Sequence, residues 1–295
     1  MESIKLDLKP LIRKLEFYSK RFVESEYSGE YISFHRHKGV EFEDYRDFAA
    51  GDDASLIDWK ASLRSGKLLI RQYSQMKNMN IYILLDVGNS MLFSSVEKLK
   101  CEYGAEVAAS LAFYFLKSGD NVSLVMFNDR IVKYLNPNTG EIQFSLITRE
   151  LSNPKHYGGN FNLSNCVQYV NNAIRQGGLV IIISDFIGLE KDWEKSIRLL
   201  SKKADIISIA VRDPQDMVIK SKIGPSIVAD PYSNKILFVD LDEIKQDYEK
   251  SSASILKTIE HNFKKNNAEM LTLVTDRPFI DPLIRFFSKR RTRWT

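Results

Sequence analysis

The strongest constraint in this chain is a rhythm of short, nearly continuous apolar runs separated by amphipathic stretches. The runs lie at 81–86 (IYILLD), 122–127 (VSLVMF), 179–185 (LVIIISD), 205–211 (DIISIAV) and 270–274 (MLTLV). Each is strand-length, and an apolar run of that length reads as a strand buried on both faces. Helical periodicity fills the intervals. A stripe of Ala105, Ala108, Leu111, Ala112 and Phe115 marks a helix over about 95–117. Further helices are expected at 140–151, 163–174 and 241–266, and in the closing PLIRFFSKRR. The helix at 241–266 is expected to bury Ile244, Tyr248, Ile255, Ile259 and Phe263. Strands alternating with helices predict an α/β fold, a doubly wound and mostly parallel sheet covered on both faces. The run IVKYL (131–135) reads as a hairpin partner of 122–127, and ILFV (236–239) as a short edge strand.

The first 78 residues have a different texture. Leu11, Leu15, Tyr18 and Phe22 share a helical face, residues 28–48 suggest short strands, and a short helix and a strand follow, ending near Tyr73. This predicts an N-terminal α+β extension over 1–78 packed on a core domain at 79–295. Phe34, Phe42, Tyr45, Phe48, Ile57, Trp59 and Leu68 are too apolar for a solvated linker. Trp59 is expected to anchor a domain seam. The dense carboxylates Glu41, Glu43, Asp44, Asp47, Asp52, Asp53 and Asp58, set among Arg46, Lys60, Arg64 and Arg71, are expected to form ion pairs and turn caps. His35 and His37 lie on one face of a strand, with no third metal ligand near them.

Composition narrows the function classes. With 42 basic and 38 acidic residues the net charge is +4, too small an excess to indicate a nucleic-acid partner. No run of eighteen apolar residues occurs, so no transmembrane segment is expected. The charged start MESIKLDLKP lacks an apolar leader core, and the two cysteines, Cys101 and Cys166, sit in predicted helices without a CxxC pair. A cytoplasmic location is the expectation.

In an open parallel sheet, ligands bind beyond the carboxyl ends of the strands. Two buried runs end there in an acid, Asp86 and Asp185. The first continues through Gly88 and Asn89 to Ser90, and a glycine-rich loop, Tyr157-Gly158-Gly159-Asn160, falls between the two runs. Asp86, Ser90, Asn160 and Asp185 are hard oxygen donors that suit Mg2+ or Mn2+ better than zinc. The competing readings are an N-cap for each aspartate and a plain turn for Gly158-Gly159.

The stretch before the first core strand carries a distinctive block. It runs Gly39-Val40-Glu41-Phe42, Asp44-Tyr45-Arg46-Asp47-Phe48, Gly51-Asp52-Asp53 and Ile57-Asp58-Trp59, then Arg64 and Leu68. Together with Ser184-Asp185-Phe186, Val211-Arg212-Asp213-Pro214 and Arg285-Phe286-Phe287, it resembles the family called domain of unknown function 58, whose core is von Willebrand factor A-like. The resemblance implies a metal-ion-dependent adhesion site of the form Asp-x-Ser-x-Ser with a distant threonine and a distant aspartate. Asp86 and Ser90 match the ends of the short motif, and Asp185 matches the distant acid. Gly88 stands where the first serine belongs, and Asn160 stands near the expected threonine. The implied function is a non-enzymatic interaction module or adaptor with an incomplete adhesion site, working with a MoxR-type AAA+ ATPase. The alternative is a magnesium-dependent hydrolase or phosphatase on the same sheet. The chain lacks GxxxxGK[ST] and GxGxxG, and Gly88 stands where a dehalogenase-type phosphatase needs its second acid.

Overall fold

The computed structural model describes residues 41–49, 52–74, 78–174, 177–220, 224–233 and 235–291. These fall in two compact units, one within Ser33–Asn78 and one made by the chain from Met79 onward. The predicted helix at 11–24 and the pair His35 and His37 lie outside the described residues.

In the smaller unit, β1 (Glu41–Asp47) pairs antiparallel with β2 (Leu69–Ser74), and α1 (Trp59–Ser65) lies between them in sequence. Asp52, Asp53 and Asp58 are caps and ion-pair partners here, as expected. Asp58 is buried, caps α1 through the amides of Lys60 and Ala61, and accepts the Tyr45 hydroxyl at 2.8 Å. Asp52 takes two 2.7 Å bonds from the Arg46 guanidinium, which hold its carboxyl down at about 2. Trp59, expected at a domain seam, is 63% exposed. It takes the first position of α1, which Asp58 caps.

The larger unit is built on β3 (Asn80–Asp86), β4 (Asn121–Phe127), β5 (Ile131–Asn138), β6 (Leu179–Ser184), β7 (Asp205–Arg212) and, after the separate hairpin β8 (Pro225–Ala229) and β9 (Ile236–Asp240), β10 (Ala268–Val274). Six of these form one sheet in the order β10-β7-β6-β3-β4-β5, all parallel except β5, which returns antiparallel to β4 as predicted. Successive side chains on a strand point to opposite faces. Tyr82, Leu84, Val180, Ile182 and Ile206 therefore face α4 (Leu163–Ala173), α5 (Trp193–Leu200) and the C-terminal half of α7 (Leu241–Lys265). On the other face lies α2 (Lys100–Lys117), so close that a Cβ on Gly104 would come within 3.2 Å of Leu85 and 3.6 Å of Ile183. There α3 (Gly140–Leu151) packs on α2, and α8 (Ile280–Arg291) meets it where Phe287 faces Phe115. The short α6 (Pro214–Met217) follows β7.

Two expectations are corrected. The run 236–239 is not an edge of the central sheet; among the described residues it pairs only with 225–229, a strand too short and too polar at its start to stand out in sequence. In α7, Ile259 and Phe263 are buried, but Ile244, Tyr248 and Ile255 are 38%, 36% and 54% exposed. Twenty-five residues span about 37 Å of helix, against about 23 Å for the seven-residue β10 it covers, so its first half overruns the sheet.

Candidate functional site

The chain leaves β3 for β4 on one side, then crosses back to place β6 on the other. That makes the β3–β6 boundary the switch point of the sheet, where a crevice opens beyond the carboxyl ends of the strands. Asp86 closes β3 and Asp185 directly follows β6, both with no exposed surface. Neither caps a helix. Asp86 Oδ1 accepts the Gly88 amide at 2.8 Å, and Asp185 Oδ1 accepts the Ile187 amide at 2.9 Å. Each carboxylate thus folds its own strand-end turn back on itself, and the 3-10 turn Asn89–Leu92 begins after Gly88 without a side-chain cap.

The remaining oxygens distinguish the two acids. Asp185 Oδ2 meets the Lys100 ammonium at 2.7 Å, and Asp216 meets the same ammonium at 2.9 Å. Lys100 is 1% exposed. Burial alone would lower its pKa, but the two carboxylates outweigh that and hold it above its ordinary value. Asp86 Oδ2 instead accepts the Ser184 hydroxyl at 2.6 Å, and Ser184 Oγ in turn accepts the Phe186 amide. Burial, and then the neighbouring Asp185, push the Asp86 carboxyl up to about 8. Two carboxylates thus share one buried ammonium, with Asp86 close beside them.

Ser90 is buried beside Asp86 and accepts a 2.7 Å hydrogen bond from the Tyr232 hydroxyl. The glycine-rich loop closes the rim. Asn89 exchanges backbone and side-chain bonds with Gly159, and Gly158 donates to the Val87 carbonyl at 2.7 Å. The Asn160 side chain is exposed, and its backbone oxygen faces Gly88: a Cβ built on Gly88 would lie 3.5 Å from it. Asp86, Ser90 and Asp185 therefore converge, with Asn160 beside them through its main chain.

Hard oxygen donors and excess negative charge fit Mg2+ or Mn2+ in kind. The donor set is short of a full coordination sphere: Gly88 adds no hydroxyl, and among the described residues no three His, Cys, Asp or Glu side chains form a metal cluster. Both cysteines are buried, and burial pushes the Cys101 thiol up to about 12, as fits packing residues.

Sequence reading missed Lys100, Ser184, Asp216 and Tyr232. Lys100 was detectable, since it continues the buried stripe of Gly104, Val107, Ala108 and Leu111 at helical spacing. A lysine on such a stripe requires a buried acid. Ser184 lies in the quoted Ser184-Asp185-Phe186, whose Phe186 is buried with a left-handed φ of 54°. Tyr232 has no sequence signature, because 142 residues separate it from Ser90.

The family profile described as "Protein of unknown function DUF58" matches residues 44–257. An uncharacterized protein of Mycobacterium tuberculosis is 22% identical over 283 residues, 95% of this chain and 89% of that protein. Among solved structures, an aerotolerance-related membrane protein from Bacteroides fragilis superposes with a TM-score of 0.50 at 14% identity, over 72% of this chain and 100% of that one. That likeness concerns the fold alone. A von Willebrand factor type A structure from Catenulispora acidiphila also matches, with a TM-score of 0.31 at 12% identity, over 63% of this chain and 43% of that one.

Proposed function

Because the chain belongs to the DUF58 family, we propose that it is a non-enzymatic interaction module, an adaptor that engages an acidic side chain of a protein partner at the β3–β6 switch point. The observation that carries this reading is the convergence of Asp86, Ser90 and Asp185 at the strand ends, where Asp86 is held by a hydroxyl and an amide while Asp185 meets the Lys100 ammonium. Mg2+ or Mn2+ would be held by Asp86, Ser90, Asn160 and Asp185. The ion would supply a hard positive centre for the partner's carboxylate. Family resemblance supports a MoxR-type AAA+ ATPase as that partner, in the cytoplasm. None of the helices among the described residues is long and apolar enough to cross a membrane.

Purified full-length chain titrated with a MoxR-type ATPase from the same genome, in Mg2+ and in chelator, tests the reading. Complex formation in Mg2+ that weakens about tenfold or more in Ser90→Ala supports it, the loss of one ligand bond being worth that much. The absence of a complex, or a complex indifferent to both chelator and Ser90→Ala, removes it.

A further inference from the structure

The β8–β9 hairpin reaches the strand-end centre with its tip. Besides donating to Ser90 Oγ at 2.7 Å, the Tyr232 hydroxyl lies 3.4 Å from the Ile187 carbonyl oxygen. Beside it, the Pro231 carbonyl accepts the Asn89 side-chain amide at 3.0 Å. The phenol ring rests on Gly188, where an added Cβ would come within 2.9 Å of Cε2. Its hydroxyl lies over Gly88, 3.5 Å from where a Cβ would stand. The tip is pre-shaped: Asp230 accepts the amides of both Tyr232 and Ser233, at 2.8 and 3.0 Å.

The rest of the hairpin is poorly held. Ile227 is 73% exposed and Phe238 75%. Among the described residues its two strands pair only with each other. Its base is tied to the start of α7, where the Gly224 amide meets the Asp242 carboxylate at 3.0 Å. An isolated two-stranded hairpin is marginal in water. Its position therefore depends on the base and on the Tyr232 tip. Among the described residues, Tyr232 is the group from this hairpin placed on the hydroxyl that the proposed site must offer.

We infer that Tyr232 is an intramolecular occupant of the adhesion site: the hairpin tip holds Ser90 in the resting molecule, and a cation with a partner's acidic side chain gains Ser90 only when the tip withdraws. This rests on the interaction role proposed above and adds its regulation. An acidic ligand must supply what the phenol gives up, so affinity reflects the competition between tip and ligand.

The test uses the full chain as wild type, Tyr232→Phe and Tyr232→Ala, with two readouts. Hydrogen exchange without added metal reports whether residues 225–240 are held; calorimetry with Mn2+ alone reports the site. Expected are exchange of 225–240 about tenfold faster in Tyr232→Ala with β3 and β6 unchanged, and Mn2+ affinity about tenfold higher. Tyr232→Phe, which keeps the ring on Gly188 and loses only the hydroxyl, falls between. Equal exchange in wild type and Tyr232→Ala overturns the occupancy. Faster exchange with unchanged, measurable Mn2+ affinity overturns the gating and leaves the cation site standing. No Mn2+ binding in any of the three forms removes the cation reading itself, and the gate with it.

Discussion

Asp86 and Asp185 end neighbouring parallel strands, both without exposed surface, and each folds back on an amide two residues ahead. Their electrostatic surroundings are opposite. Asp185 shares the Lys100 ammonium with Asp216, whereas Asp86 has only the Ser184 hydroxyl and the Gly88 amide and is pushed up to about 8. The difference teaches how a buried acidic centre is divided. One carboxylate shares a buried ammonium supplied by the fold. The other is left without a cation and is the one whose charge a ligand can satisfy.

The largest effect that tests this division is Lys100→Met. Removing one partner of a buried pair leaves an uncompensated carboxylate and costs roughly 3–5 kcal/mol. Chemical denaturation of the full chain measures it. A loss below about 1 kcal/mol would mean that Asp185 does not depend on Lys100, and the contrast with Asp86 would dissolve.

Asp86→Asn moves stability the other way. The folded value of about 8 lies above the ordinary 3.8, so between those values the native state keeps a proton that the unfolded chain has released. Stability present below pH 3.8 is therefore lost as pH rises towards 8. Asp86→Asn should remove that slope and, in chelator at pH 8 or above, raise stability by roughly 1–3 kcal/mol. A pH series of melting curves for both forms decides it. Identical slopes would show that Asp86 carries no such burden.

Gly88→Ser is the smallest change. With φ −63° and ψ 171° the backbone accepts any residue, but a Cβ would lie 3.1 Å from Asp86 Oδ1, so the carboxylate must yield slightly. A stability change under about 1 kcal/mol is expected, together with Mn2+ affinity a few-fold above wild type. Gly88→Ala brings the same crowding without the hydroxyl. Calorimetry on both separates coordination from crowding: equal behaviour of the two variants would count against a missing ligand at this position.

Much of this architecture was legible because local patterns report local burial. Apolar runs gave five strands of the central sheet within a residue or two, and strand-end acids pointed to the switch point. The overrun of α7 was not legible, since helical periodicity states which residues share a face and not how far the covering sheet extends. The hairpin at 225–240 was half seen, as a strand assigned to the wrong sheet.

The sequence by itself determined the sheet, its helical cover and the residues Asp86, Ser90 and Asp185 at one end of it. Only the tertiary structure decided which acid receives the lysine, 85 residues away in sequence, and which hydroxyl receives the tyrosine, 142 residues away. The reason is physical. Burial is encoded by the spacing of apolar residues along a single element, whereas the pairing of two polar groups depends on where separate elements cross, and no short-range pattern records that.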